Sequence, residues 1–126
     1  MAHTLKYNSD THAIELTAQG QITFDEQKEI FAEAVRMSIE KNCKLFLSDY
    51  RKAILMLSTG EIYDLPKILS DIVASSGMTL PQFRRAVVVE NDLKDYQFFE
   101  TVTANSGQNA KVFYDVSEAK KWLFGK

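Results

Sequence analysis

Short apolar runs that alternate with longer amphipathic segments constrain the fold of this chain most. Three runs are predicted strands: Leu45-Phe46-Leu47, Ala86-Val87-Val88-Val89 and Lys111-Val112-Phe113-Tyr114. Four segments with apolar residues at helical spacing are predicted helices: 24–41, 58–75, 93–106 and 116–124. Regular alternation of strand and helix predicts an α/β layer in which parallel strands are joined by right-handed crossovers.

The N-terminal residues predict a β-hairpin. Thr4–Tyr7 and Ala13–Thr17 read as short strands, and the polar residues 8–11 between them are typical of a turn. Gly20 is expected to end the second strand. Together with the later runs, this predicts one domain over residues 1–126, a mixed sheet of about four or five strands with about four helices.

Capping motifs mark two helix starts: Thr23-x-x-Glu26 and Ser58-x-x-Glu61. The second helix contains Pro66, which has no backbone N–H and disfavours helical geometry at Leu65. Two arrangements are open. Either the helix is kinked at this proline, or a short first turn precedes a second helix that begins near Leu65.

The composition is that of an ordinary globular domain, since 45% of the 126 residues are apolar and 25% are charged. Acidic and basic residues are interspersed and the formal net charge is -2, so a nucleic-acid partner is not expected. Cys43 is the single cysteine, which excludes an intrachain disulfide and fits a reducing compartment. No run approaches the ~20 apolar residues of a membrane span. We therefore expect a cytoplasmic protein.

No catalytic constellation is recognisable in the sequence. The second half lacks histidine, and neither paired carboxylates at catalytic spacing nor a glycine-rich phosphate loop is present. His3 and His12 lack the further ligands that a metal site needs. We therefore expect a protein without enzymatic activity, cofactor or metal.

Apolar residues in two predicted loops suggest a surface function. Residues 51–57 are predicted to be a loop over the core, and a second loop lies around Pro81. Their large apolar side chains either close over the core or form an exposed contact surface. The candidate contact residues are Leu55, Met56, Leu57, Met78, Leu80 and Phe83.

A group of polar residues is predicted at the carboxyl edge of the sheet, where functional loops of such folds collect. Asp49 follows the central strand, and Asn91-Asp92 follow the next one. Ser58 and Thr59 begin a helix, together with Gly60 and Glu61. Backbone N–H groups and the helix dipole favour added negative charge there. Ser58 is thus either an ordinary N-cap or a phosphoacceptor, with Thr59 as a second candidate.

The chain resembles a STAS domain, and within that family the SpoIIAA-like branch of anti-sigma-factor antagonists and a set of small stand-alone bacterial proteins. The resemblance covers nearly the whole chain. It rests on the order of elements and on these residues: Asp49, Ser58-Thr59-Gly60, Phe99 to Val102, Gly107, Val112-Phe113, Ser117-Glu118-Ala119 and the terminal Ala119 to Leu123.

The resemblance implies a non-enzymatic regulatory module. In anti-sigma-factor antagonists the first hydroxyl residue of the triplet is phosphorylated by a partner kinase that also binds the sigma factor. Ser58 would be that acceptor, with Asp49 beside it, although Leu57 stands where the family has aspartate. The alternative function is a carrier of a small apolar ligand, a lipid or a nucleotide, in a pocket beneath residues 54–57 and 78–83.

Overall fold

The computed structural model describes residues 3–77, 83–90 and 110–125. Its elements in chain order are β1 (His3–Asn8), β2 (Ala13–Thr23), α1 (Phe24–Lys41), β3 (Leu45–Met56), α2 (Thr59–Ser75), β4 (Arg84–Val88), β5 (Ala110–Phe113) and α3 (Val116–Phe124). The predicted helix 93–106, with its flanking residues Asn91, Asp92 and Gly107, lies outside the described residues, as do Met78 and Leu80. None of the described helices is long and apolar enough to cross a lipid bilayer.

The five described strands form one mixed sheet in the order β1-β2-β3-β4-β5. β1 and β2 are antiparallel, from His3 opposite Ala18 to Asn8 opposite Ala13. Each later pair of neighbours is parallel. The predicted mixed α/β fold, with an N-terminal hairpin followed by parallel crossovers, is confirmed. The described residues contain three helices where about four were predicted.

Helices cover both faces of the sheet. On one face, α1 and α2 form a core with β2, β3 and β4 that includes Ile14, Phe31, Val35, Phe46, Leu65, Leu69 and Phe83. On the other face, α3 packs against β3, β4 and β5 through a cluster of Leu47, Ala86, Val88, Phe113, Ala119 and Leu123. The last three residues of β4, Ala86, Val87 and Val88, are buried on both faces of the sheet, which explains why this part of the strand is continuously apolar.

α2 runs from Thr59 to Ser75 as one helix with Pro66 inside it. The alternative of a second helix beginning near Leu65 is therefore wrong. A proline in a helix interior costs about 3 kcal/mol because a backbone hydrogen bond is lost. Leu65 and Leu69 are both buried in the core on this helix, and each fully buried side chain of this size contributes about 1.5–3 kcal/mol. Packing thus offsets the local cost of Pro66.

β3 is longer than predicted, because Leu45–Met56 form one strand of 12 residues. The predictions that residues 51–57 form a loop and that Gly20 ends β2 are wrong. β2 and β3 pair in parallel up to Thr23 opposite Met56, with a shift of register between Thr17 and Gln19. At this shift Tyr50 and Arg51 together oppose Ala18. The irregularity is a β-bulge in β3.

The bulge changes which side chains of β3 face α1 and α2. Before it, Phe46 and Tyr50 belong to the core on that face, whereas after it Ala53 and Leu55 do. Buried positions therefore change from even to odd numbers along a single strand. A shift of one residue exchanges the two faces of a strand. This break in the alternation explains why residues 51–57 read as a loop.

Gly20 lies beside the bulge with a left-handed backbone, φ 75°. We expect Gly20→Ala to lower the free energy of unfolding by about 1–2 kcal/mol, because an L-residue is strained in this conformation. The effect is one of strain, since no atom lies within 4 Å of a Cβ built at Gly20. Urea unfolding followed by circular dichroism measures the change.

Gly60→Ala is the matched control for that substitution. Gly60 lies in the first turn of α2, where the nearest atom to a new Cβ is Ser58 Oγ at 4.0 Å. We expect this change to raise the free energy of unfolding by about 0.4–1 kcal/mol, because alanine restricts the unfolded chain. Equal destabilisation by the two substitutions would contradict the assignment of strain to Gly20.

Candidate functional site

The N-terminus of α2 is closed by a reciprocal pair of hydrogen bonds. The backbone N–H of Glu61 donates to Ser58 Oγ at 3.2 Å, and the backbone N–H of Ser58 donates to Glu61 Oε1 at 2.8 Å. This is the predicted capping box. Ser58, Thr59 and Gly60 are all exposed. The structure thus places the predicted phosphoacceptors on an accessible helix terminus.

A phosphate on Ser58 would act on this arrangement in two opposing ways. It would bring about -1.5 to -2 charge units to a helix N-terminus, where the dipole and free N–H groups stabilise an anion. It would also repel the Glu61 carboxylate, which hydrogen-bonds to the backbone of the same residue. A phosphate on Ser58 would therefore set a favourable interaction with the helix N-terminus against repulsion from the Glu61 carboxylate.

Asp49 lies inside β3, opposite Val88, the last residue of β4. Its carboxylate accepts two hydrogen bonds from the Arg51 guanidinium, Nε to Oδ1 at 2.9 Å and Nη2 to Oδ2 at 2.7 Å. The backbone N–H of Arg51 donates a third, at 3.0 Å. The side-chain hydrogen bonds from Arg51 are the main reason that the pKa of Asp49 lies below its usual value. Asp49 is thus committed to a local ion pair.

The structure does not bring Asp49 beside Ser58. After Asp49, β3 continues in extended form to Met56 before α2 begins, a path of roughly 23 Å along the strand. The expectation that Asp49 lies beside Ser58 came from the resemblance to anti-sigma-factor antagonists. The parallel pairing of β3 with β2 extends the strand instead.

The residues of the predicted contact surface do not all face solvent, because successive side chains of β3 point to opposite faces of the sheet. Leu55 and Leu57 are half-buried and pack against the core clusters. Met56 is 50% exposed, as expected for a contact residue. Phe83 is only 2% exposed and stacks on Phe46, so its assignment to an exposed surface is wrong. Phe83 immediately precedes β4, and its ring belongs to the core that α1 and α2 form with the sheet.

Two exposed apolar residues near Ser58 were missed from the sequence. Ile54 is 59% exposed on the same face of β3 as Met56, and Tyr63 is 57% exposed on α2. Tyr63 follows Thr59 by one helical turn, so the two share a helix face. We call Met56, Ser58, Thr59 and Tyr63 the α2 N-terminal surface. If residues 52–56 had been predicted as a strand, the alternation of its side chains would have placed Ile54 on the same face as Met56.

A cavity of about 60 Å³ lies between α1, α2 and the sheet. Its lining includes Leu55 and Phe83, one residue from each of the two apolar segments beneath which a pocket was predicted; residues 78–82 of the second segment lie outside the described residues. Pockets for drug-sized ligands have about 300–1,000 Å³. The cavity therefore does not accommodate a lipid or a nucleotide. Its lining is apolar except for four residues that the sequence did not single out: Gln27, Ser48, Tyr50 and Arg85.

The remaining candidate groups serve structural contacts. The His3 ring contacts the carboxylates of Glu26, at 3.3 Å, and Glu33, at 2.5 Å, and thereby ties β1 to α1. Cys43 is buried, and its Sγ donates to the His12 carbonyl at 3.2 Å. Within residues 3–77, 83–90 and 110–125, no group of three or more potential ligand side chains is placed to hold a metal ion.

Solved structures of two proteins share this architecture. An uncharacterised protein of the DUF3478 family with a SpoIIAA-like fold, from Shewanella loihica PV-4, is 19% identical with a TM-score of 0.59, over 97% of this chain and 92% of that chain. The Bacillus cell fate determinant SpoIIAA, in its phosphorylated form, is 11% identical with a TM-score of 0.55, over 96% of this chain and 99% of that chain. No protein-family model and no curated protein matches the sequence. The chain has the STAS or SpoIIAA-like fold that the resemblance implied.

The ion pair of Asp49 with Arg51 predicts a specific pH dependence. Because the folded-state pKa of Asp49 is lowered, its contribution to stability is present above the unfolded-state pKa and is lost as the pH falls through the folded-state pKa. We expect Asp49→Asn to destabilise the protein slightly near neutral pH, since the pair is partly exposed and screened. The difference from wild type should vanish in acid.

Urea unfolding over a series of pH values measures this difference. Arg51→Ala is the control background, because Arg51 is the main cause of the pKa shift. In that background, Asp49→Asn should change stability by nearly the same amount at every pH. An undiminished pH dependence there would show that another group lowers the pKa.

Proposed function

We propose that this protein is a non-enzymatic regulatory module that binds a protein partner through the α2 N-terminal surface, and that phosphorylation of Ser58 controls the binding. The observation that carries the proposal is the exposed capping serine between two exposed apolar side chains, Met56 and Tyr63. The likeness to SpoIIAA in its phosphorylated form supports a regulatory role for this fold.

The composition of the surface supports a protein partner. Tyrosine and methionine are enriched at protein interfaces, and methionine adapts its shape to a partner. Met56 lies within about 7 Å of Ser58 along an extended chain, and Tyr63 lies one helical turn beyond Thr59. A partner that packs on Met56 and Tyr63 therefore covers both hydroxyl residues.

Phosphorylation would release such a partner. A phosphate carries about -1.5 to -2 charge units, and burying it against apolar groups costs several kcal/mol unless basic groups receive it. Glu61 adds negative charge at the same point. The resemblance to anti-sigma-factor antagonists suggests a partner with anti-sigma-like kinase activity. An ATP-dependent kinase as partner would place the protein in the cytoplasm.

The described side chains support a role without catalysis. His3 is engaged by two carboxylates, Asp49 is paired with Arg51, and Cys43 is buried. A general base needs a pKa and a position suited to proton transfer with a substrate, and these groups are tied into structural contacts instead. The small cavity gives the carrier hypothesis no comparable support.

The first experiment maps phosphorylation on the protein isolated from its native cells with phosphatases inhibited. We expect phosphate on Ser58 or Thr59 by mass spectrometry. Repeated absence of phosphate, with good coverage of the peptide around Ser58, would contradict the proposed switch and leave Ser58 as a cap.

The second experiment measures partner binding by photo-crosslinking in the native cells. A crosslinking side chain at Tyr63 should capture the partner, whereas one at Tyr114, which is similarly exposed at 49%, should not. Ser58→Glu should reduce capture at Tyr63 about tenfold or more, because it places a charge in the interface. Ser58→Ala should leave capture nearly unchanged, although it costs about 1 kcal/mol of stability.

Ser117→Glu is the charge-matched control, since it adds a carboxylate to the exposed first turn of α3. It should not change capture at Tyr63. If the Ser58→Glu and Ser58→Ala variants captured equal amounts of partner at Tyr63, the proposed phosphorylation switch would be contradicted. Unfolding curves of all variants separate loss of binding from loss of fold.

A further inference from the structure

β1 lies at the outer edge of the sheet. It pairs with β2, and within residues 3–77, 83–90 and 110–125 no strand lies on its other side. In an antiparallel pair the residues alternate between those that exchange hydrogen bonds with the neighbouring strand and those that do not. β1 therefore turns a row of backbone N–H and C=O groups away from β2, and such an edge is a template for a further strand.

A groove of about 280 Å³ lies between β1 and α1. It is lined by two residues of β1 and four of α1: His3, Leu5, Glu33, Arg36, Met37 and Glu40. Arg36 and Glu40 are exposed, so the groove is open to solvent. Neighbouring strands lie about 4.8 Å apart, and their side chains alternate between the two faces of the sheet. A strand added to β1 would therefore turn every second side chain toward α1 and this groove.

The contacts between β1 and α1 fix the order of charges along the groove. His3 contacts the Glu33 carboxylate at 2.5 Å, and the Lys41 ammonium lies over the Tyr7 ring, 5.8 Å from its centre. β1 and α1 therefore run in the same direction. Glu33 stands at the His3 end of the groove, and Glu40 stands about 10 Å further along the helix axis.

The middle of the groove is apolar. Leu5 and Met37 are half-buried and pack against the core. Arg36 lies between the two carboxylates in sequence, and the aliphatic part of an arginine side chain covers apolar surface while its guanidinium stays in water. An apolar side chain of a ligand is thus favoured at the centre, between two acidic ends.

A second copy of the chain is a poor match for this groove. If two β1 strands paired about a twofold axis near Leu5, the two α1 helices would face each other in opposite directions. Arg36 would then meet Arg36 of the second copy, and Glu33 would meet Glu40 of the second copy. Like charges in such an interface disfavour the pairing. The groove therefore suits a chain of different sequence.

We propose that β1 and α1 bind an extended segment of a partner protein, which adds to the sheet as an antiparallel strand and has the pattern basic-x-apolar-x-basic. Backbone hydrogen bonds to β1 hold the segment, and its alternate side chains provide specificity. The central side chain packs on Leu5 and Met37, and the basic side chains reach Glu33 and Glu40.

The spacing of the groove supports this pattern. The two basic positions of an extended segment are about 13 Å apart, and flexible lysine or arginine side chains adjust to carboxylates that are about 10 Å apart on the helix. The Glu33 side chain is 35% exposed, so its carboxylate is accessible while it contacts His3. The groove shares no residue with the α2 N-terminal surface, so this proposal does not depend on the proposed function.

The test uses the full chain labelled with nitrogen-15 and the synthetic peptide Ser-Lys-Thr-Ile-Thr-Lys-Ser, blocked at both ends. We expect saturable shifts of amide signals in β1 and α1 by nuclear magnetic resonance. Amide hydrogen exchange in β1 should become slower, because its outward N–H groups gain acceptors. A peptide with glutamate in place of both lysines should bind about tenfold more weakly, because it meets two carboxylates.

Two N-methylated peptides test whether the segment adds as a strand. One carries methyl groups on the backbone nitrogens of its first lysine and its isoleucine, and the other carries them on the nitrogens of both threonines. Successive N–H groups of a strand point to opposite edges. One of the two peptides should therefore lose binding, whereas the other should retain it.

A charge reversal on α1 locates the site. Glu40→Lys should weaken binding of the lysine peptide about fivefold or more and strengthen binding of the glutamate peptide. Asp71→Lys is the matched control, since it makes the same change of charge at an exposed position of α2. It should leave both affinities nearly unchanged. Unfolding curves of both variants separate loss of binding from loss of fold.

Four results would overturn the proposal: no saturable shifts with the lysine peptide, shifts that lie outside β1 and α1, equal affinities of the lysine and glutamate peptides, or equal affinities of the two N-methylated peptides. Sedimentation of the wild type checks the choice of occupant. A dimer that the lysine peptide dissociates would show that a second copy fills the groove, contrary to the proposal.

Discussion

The parallel pairing of β2 with β3 is the contact on which the rest of this structure depends. It runs from Ile14 opposite Phe46 to Thr23 opposite Met56 and is longer than any other pairing among the described strands. The hairpin partner β1 and the crossover strand β4 attach to its two outer edges. The pair also carries the chain to the point where α2 begins. The location of the α2 N-terminal surface therefore follows from it.

The bulge within this pairing divides β3 into two parts with different surroundings. Before Tyr50 and Arg51, the strand faces the covered core that contains the cavity. Beyond them, β3 has left β4, and Ile54 and Met56 are exposed on the face opposite Leu55. One extra residue in one strand thus separates the buried side chains of Ser48 and Tyr50 from the exposed side chains of Ile54 and Met56. A strand without the bulge would exchange these two sets of side chains.

Polar groups inside the core and at the helix terminus are engaged in different ways. At the α2 N-terminus, Ser58 and Glu61 satisfy each other's polar groups with two short-range hydrogen bonds. In the core, Tyr50 and Gln27 form a long-range bond between β3 and α1 next to Arg85. The capping box of Ser58 and Glu61 is accessible and local, as the proposed regulation by a partner requires. The bond between Tyr50 and Gln27 is buried and depends on tertiary packing.

The sequence by itself determined the alternation of elements and the N-caps at Thr23 and Ser58, because these depend on periodicity and on hydrogen bonds within a few residues. The tertiary structure alone decided the length of β3, the continuity of α2 through Pro66 and the separation of Asp49 from Ser58. It also decided the burial of Phe83 and Arg85. These features depend on partners far away in the chain, since cross-strand pairing and core packing override local propensity.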